Sequence, residues 1–160
     1  MVRDIQIRRF NKEDLQSVYQ LIQNTIDISY QEAYPKGAVE FFKNYHSEEQ
    51  ILNDAAAGYT LVAESNDEIV GTGTLCGTHI QRVFVSPLHQ HRGIGKTIVQ
   101  GLERKASVEK PTILYLEASL VSRQFWESLG YVIQKEDYIP VEKDQELHYY
   151  NMKKSLNNSW

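Results

Sequence analysis

Hydrophobic and polar residues along this chain change rhythm several times, and each change marks an element. Residues 2–9 set Ile5 and Ile7 in strand-like alternation closed by Arg9, and Asn11 then offers an N-cap to a helix carrying Leu15, Val18, Tyr19 and Ile22. The segment from Tyr30 to Pro35 breaks that helix. A second helical piece carries Phe41, Phe42 and Tyr45, and Ser47-Glu48-Glu49-Gln50 opens a third with the spacing of a capping box.

From Tyr59 the period drops to two. Leu61-Val62-Ala63-Glu64 and the run from Glu68 to Leu75, joined at Asn66-Asp67, predict a hairpin, and the run from His79 to Val85 adds a third strand that stops at Ser86-Pro87. Such short connections predict antiparallel pairing. Ile98, Val99 and Leu102 share one face of a helix from Lys96 to Val108; Pro111 ends the turn after it, and Ile113-Leu114-Tyr115-Leu116 predicts a buried strand. Ser119 or Ser122 begins a last helix through Leu129, Gly130 caps it, and two final strands are expected over 131–139 and 146–153. The fold class is therefore α/β in the α+β sense: a mixed, mostly antiparallel central sheet of about seven strands flanked by helices. One domain spanning residues 1–160 is expected from the length.

Composition narrows the function more than the fold. With 41% hydrophobic and 24% charged residues the chain has the balance of a globule, and 17 basic against 21 acidic residues, scattered throughout, give no concentrated basic footprint for nucleic acid. The single cysteine, Cys76, cannot form an intrachain disulfide, and no apolar signal core or twenty-residue apolar span is present, which predicts a cytoplasmic protein without a membrane partner. The histidines and Cys76 do not fall at paired ligand spacings, so no metal is expected.

The most informative stretch runs from Val83-Phe84-Val85 through Gln90-His91-Arg92-Gly93-Ile94-Gly95-Lys96, where a strand passes through a glycine-rich loop into a helix. Such a mouth suits a phosphate: glycine lets the backbone approach an anion, the first helical N–H groups lack partners, and the helix dipole favours negative charge. Arg92 and Lys96 add positive charge. A nucleoside-triphosphate loop is a rival, since Gly93-Ile94-Gly95-Lys96-Thr97 ends like one, but Gln90 stands where the first glycine is needed. A dinucleotide motif at Gly71-Thr72-Gly73 fails because it lies inside the hairpin.

With its surroundings, Gln90-x-x-Gly93-x-Gly95 resembles the coenzyme-A pyrophosphate motif of the GNAT acetyltransferase superfamily. Val83-Phe84-Val85-Ser86-Pro87 looks like that family's fourth strand with its exit, and Ser119-x-x-Ser122-x-x-Phe125-Trp126-x-x-x-Gly130-Tyr131 looks like its later helix block. The resemblance implies an N-acetyltransferase that takes acetyl-CoA as co-substrate and a small-molecule or peptide amine as acceptor, possible as a homodimer. It implies that the backbone from His91 through Lys96 holds the pyrophosphate, and that Val83 and Val85, with Phe84 between them, pair with the pantetheine arm. It further implies a V-shaped splay between strands 79–86 and 112–118, with Ser119, Ser122 and Phe125 on the coenzyme's other side.

An alkyl ammonium, with a pKa of about 10, cannot attack a carbonyl, so such an enzyme must provide the neutral amine beside the thioester. Glu117 and His79 are the base candidates, either acting directly or through water. Where the family commonly has an acidic tyrosine the chain has Trp126, whose indole is a poor proton donor; Tyr131, Ser122 or water would then serve the departing thiolate. Tyr30, Glu32 and Tyr34, in the break between the first helices, are the acceptor-pocket candidates, with Glu32 attracting a cationic amine. A coenzyme-A-binding sensor domain without turnover is the alternative function that Trp126 keeps open.

Overall fold

The computed structural model describes residues 4–108 and 113–156, so Pro111 and residue 112 lie outside the described residues. Its strands are β1 (Ile5–Arg9), β2 (Tyr59–Ser65), β3 (Glu68–Cys76), β4 (His79–Val85), β5 (Ile113–Ser119), β6 (Val132–Val141) and β7 (Gln145–Ser155); its helices are α1 (Leu15–Ser29), α2 (Lys36–Tyr45), α3 (Glu48–Ala57), α4 (Ile94–Val108) and α5 (Arg123–Ser128). The strands form one sheet in the order β1-β2-β3-β4-β5-β7-β6. Every neighbouring pair is antiparallel except β4 and β5, which run parallel. This is the mixed, mostly antiparallel seven-stranded sheet flanked by helices that the patterning predicts.

Local chemistry explains the boundaries. The Asn11 side chain accepts from the Glu13 N–H and Asp14 returns a bond to the Asn11 N–H, opening a short 3₁₀ turn that runs into α1. Ser47 caps α3 through the Gln50 N–H. Asn66 and Asp67 both take positive φ, 51° and 64°, as a tight hairpin turn between right-twisted strands requires, and Lys143 and Asp144 repeat the device between β6 and β7. Two expectations need correction. Helix α4 starts at Ile94, two residues before Lys96, because the loop glycines already bring the backbone into helical register; and β5 is not a fully buried strand, since Leu114, Leu116 and Ala118 are buried while Ile113, Tyr115 and Glu117 are exposed.

Two cores lie on opposite faces of the sheet. One packs α4 and α5 against Leu61, Ile80, Leu114 and Leu116; the other packs α1 and α2 against Val62, Phe84 and Leu147. Gly73 belongs to the first, where an added Cβ would come within 2.7 Å of the Ile98 side chain, so the Gly71-Thr72-Gly73 run exists to let α4 close onto β3. Simple alternation would put Ile80 and Phe84 on the same face, yet they lie in different cores. The reason is a bulge: Thr72 pairs with Phe84 but Thr74 pairs with Gln81, so β4 carries one extra residue, and Arg82 there adopts φ 55°. No helix among the described residues is long and apolar enough to cross a membrane.

Candidate active site

β4 and β5 share a register pair only at His79 and Tyr115, where the Tyr115 N–H also reaches the Thr78 carbonyl; beyond it the strands part. The Ser86 N–H is bonded to Val70 on β3, so alternation turns the N–H groups of Val85 and Val83 away from β3 and towards the open edge. A strand edge without a partner strand lines one wall of a cleft. At its end lies the glycine loop, with His91 at φ 64° and Gly93 at φ 83°. The Thr97 N–H reaches the Gly93 carbonyl, so the N–H groups of Ile94, Gly95 and Lys96 are the orphan donors of the first turn of α4. A Cβ on Gly93 would meet nothing within 4 Å, whereas one on Gly95 would lie 3.0 Å from the Phe125 ring. Gly93 is needed for its backbone angle and Gly95 for close approach of α5.

Individual loop residues do different jobs from those their motif suggests. Gln90 places its amide on the Val85 carbonyl at 2.9 Å, pinning the loop to the end of β4. The Ile94 side chain is buried in the core, so only its backbone faces the loop. Arg92 and Lys96 are exposed beside the loop mouth, and Phe125 is held against Gly95.

The cleft opens through the sheet into a cavity of about 260 Å³, bordered by Ile80, Val83 and Phe84 on β4, Leu116 and Glu117 on β5, and Ser119, Ser122 and Trp126 near α5. Glu117 Oε1 lies 2.8 Å from His79 Nε2 across the point where the strands part. That hydrogen bond pushes the His79 imidazole above the ordinary histidine pKa, against the opposing effect of its partial burial. Ser119 Oγ accepts from the Ser122 N–H and donates to the Ser122 hydroxyl, so the two serines hold each other at the cavity edge.

Tyr131 does not join this group. It is 1% exposed, and its hydroxyl donates to Glu103 on α4 at 2.7 Å, a carboxylate that also receives Lys154 at 3.0 Å. Burial and the Glu103 carboxylate push the phenol well above its usual range, the reverse of what an acid requires. Trp126 does face the cavity, 5% exposed and edge-on to both Phe125 and Tyr131.

The acceptor-pocket candidates divide as well. Tyr30 borders the cavity beside Phe84, with ring centroids 6.3 Å apart. Tyr34 is a structural clasp whose hydroxyl donates to the His148 carbonyl at 2.6 Å and accepts from the Leu120 N–H at 2.8 Å. Glu32 is exposed on the outer side of the break and does not border the cavity. The chain instead supplies Phe41, Phe42, Tyr45 and His46 from α2 and its cap, and Ile139, Leu147 and Tyr149 from β6 and β7. Sequence reading passed over these: Phe41 and Tyr45 have the i, i+4 spacing of an aromatic pair, but nothing in the sequence says which surface they face. Arg82 was also missed. It is buried, gives Nε–H to His46 Nδ1 at 3.1 Å and sits 2.6 Å from Asp54, and a charge in the middle of an apolar strand was the available signal. Among the described residues no cluster of three or more His, Cys, Asp or Glu is placed to hold a metal.

Comparison with known proteins agrees with this geometry. The chain is similar to a GCN5-related N-acetyltransferase (aminotransferase, class II) from Rhodopseudomonas palustris, at 24% identity over 94% of this chain and 95% of that one, with a TM-score of 0.86. It is similar to PaiA N-acetyltransferase from Thermoplasma acidophilum, solved in complex with coenzyme A, at 18% identity over 95% and 99% of the two chains and a TM-score of 0.74. It is also similar to yncA from Salmonella typhimurium, solved with its cofactor acetyl-CoA, at 16% identity over 97% and 95% and a TM-score of 0.68. At such identities these likenesses carry the fold alone. No curated protein sequence matches. The model of the acetyltransferase (GNAT) domain, however, matches residues 24–156, from within α1 to the end of β7, and with that match the chain belongs to the GNAT acetyltransferase family.

Proposed function

We propose that this chain is a cytoplasmic N-acetyltransferase that passes the acetyl group of acetyl-CoA directly to the amine of a small molecule or peptide. The observation that carries this reading is the Glu117–His79 pair, 2.8 Å apart, at the point where a cleft edged by a free strand and a helix N-terminus meets a cavity bordered by residues of both cores. The donors of Ile94, Gly95 and Lys96, with Arg92 nearby, suit the pyrophosphate of the coenzyme. The edge of Val83 and Val85 suits the amides of the pantetheine arm.

In this arrangement the acceptor enters from the α2 side as an ammonium. Glu117, which faces the cavity, takes one proton and hands it to His79, whose exposure lets it exchange with solvent. The neutral nitrogen then attacks the thioester carbon, the oxyanion is met by the Val83 N–H, and collapse breaks the C–S bond while the new C–N bond is retained and the nitrogen gives up its second proton. With Tyr131 committed to Glu103, the thiolate, whose free pKa is about 8.5, departs and takes up that proton by relay through the Ser122 hydroxyl or water.

Glu117→Gln tests the proposal. It should lower kcat/KM about 100-fold and flatten the acidic limb of the pH–rate profile, as expected for loss of a general base, while coenzyme-dependent thermal stabilisation stays unchanged. Full activity in that variant would exclude Glu117 as the base, and a protein that binds coenzyme but releases no thiol with any amine would indicate a sensor domain instead.

A further inference from the structure

We infer that the acceptor bound in this cavity is a small primary monoamine with an apolar, aromatic-sized body, and not a polyamine, an amino acid or an acidic peptide. This rests on the acetyl-transfer reading above and adds the substrate class. The acceptor side of the cavity is walled by six aromatic rings, those of Tyr30, Phe41, Phe42, Tyr45, Phe84 and Tyr149. Phe41 and Tyr45 stack at 6.1 Å and 14° at its outer rim, where they are 38% and 50% exposed. Such walls reward an apolar or aromatic body.

Charge decides the rest. Besides the tyrosines, the titratable side chains bordering the cavity are Glu117, His46 and Arg82. Burial keeps the His46 imidazole uncharged, and Arg82 forms an ion pair with Asp54 at 2.6 Å, its two Nη atoms closed off from solvent and without a well-directed hydrogen bond. Glu117, hydrogen-bonded to the His79 imidazole, is therefore the one carboxylate among the described residues that border the cavity, and it complements one ammonium. A second ammonium would be desolvated among aromatic rings without a partner, and a substrate carboxylate would face Glu117 with the Arg82 guanidinium closed off behind it. At about 260 Å³ the cavity falls just below the range of about 300–1,000 Å³ usual for drug-sized ligands, which limits the body to about one ring.

Phenethylamine, phenylalanine and spermidine separate these features, since phenylalanine adds only a carboxylate to the same body and spermidine adds charges without a ring. Each is compared by thermal unfolding of the full chain in the presence of coenzyme A, and by thiol release from acetyl-CoA. Phenethylamine should stabilise the protein where the other two do not, and its kcat/KM should exceed theirs by at least about 100-fold. Equal or better use of spermidine or phenylalanine would overturn the inference while leaving acetyl transfer intact, and failure of phenethylamine to bind would overturn it outright. Selective binding of phenethylamine without thiol release would support the inference and remove the acetyl-transfer reading instead. Phe41→Glu, at a partly exposed rim position, should raise turnover of spermidine about tenfold and lower that of phenethylamine. No change with either amine would show that they do not bind beneath this rim.

Discussion

On the α4 side of the cleft the chain offers its backbone: N–H groups at the start of a helix, two residues of positive φ and a strand edge left open by the parting of β4 and β5. On the α2 side it offers side chains: aromatic rings from α1, α2, β4 and β7, a carboxylate from β5 and a buried arginine from the bulge. Backbone donors recognise what any pyrophosphate and amide arm present, so that wall is generic. Side chains drawn from separate elements can be exchanged one at a time, so on the proposed reading the other wall is where one acceptor would be told from another. The bulge at Arg82 joins the two, because the extra residue sends Ile80 and Val83 towards the α4 side and Phe84 towards the α2 side.

The largest effect is expected from striking the backbone wall. Gly95→Asp would bring a carboxylate beside the orphan donors and its Cβ to 3.0 Å from the Phe125 ring, so coenzyme affinity should fall by at least about 100-fold, or about 2.7 kcal/mol, in a titration by calorimetry. Gly93→Ala separates backbone angle from space: the site around Gly93 is open, so any loss there reports the φ of 83°. Affinity unchanged in folded Gly95→Asp would remove the loop from the coenzyme site.

A smaller effect is expected from pH, and it should be confined to the side-chain wall. His46, held by burial and then by the neighbouring Arg82, has its pKa lowered to about 3. Tyr45 stacks edge-on to it, Gln23 of α1 reaches its carbonyl, and Asp54 of α3 faces it only through Arg82. Between its ordinary value of about 6.5 and 3 the unfolded chain binds a proton that the folded chain refuses, so stability must fall as pH drops below 6.5, by about 2 kcal/mol at pH 5. His79 does not confuse the measurement: its pKa is raised, so its contribution is complete below 6.5 and is lost only as pH rises through the folded value. Asp14, lowered by Arg8, loses its contribution only in stronger acid. Urea unfolding at pH 5 and 6.5 should show the difference in the native chain and little of it in His46→Gln, which keeps an acceptor for Arg82 but does not titrate. An equal drop in both would place the acid sensitivity elsewhere.

The same contrast explains what could be read from the residues alone. Backbone features leave local marks, and so the hairpin turn at Asn66-Asp67, the strand exit at Ser86-Pro87 and the loop from Gln90 to Lys96 stand in the sequence near their structural positions. The acceptor wall leaves none. Phe41 and Tyr149 lie over a hundred residues apart and meet only because β7 inserts between β5 and β6, while the bulge shifts the face of Phe84 without any residue that advertises it. Tyr131 misled for a related reason: its spacing in the α5 block suggested the cleft, but the turn at Gly130 directs the ring into the core, where Glu103 takes its hydroxyl. The charge of Glu32 suggests a partner for an ammonium, but charge alone does not say that the residue is exposed on the far side of the α1–α2 break.

The smallest effect is expected at Trp126, the residue that belongs to both walls. Its indole fills space between Phe125 and Tyr131 and borders the cavity, so its first contribution is packing. Trp126→Tyr removes ring volume from a buried position and should cost about 1 kcal/mol of stability, the size of a partial cavity. It also places a phenol where the thiolate would depart. If the Ser122 hydroxyl or water already supplies that proton adequately, kcat at saturating amine should stay within about threefold of the native value, since amine attack rather than thiolate departure then limits the rate. A tenfold rise in kcat would show that protonation of the thiolate had been limiting, and a tenfold fall with unchanged coenzyme affinity would mean that the indole positions the acceptor, moving Trp126 wholly to the side-chain wall.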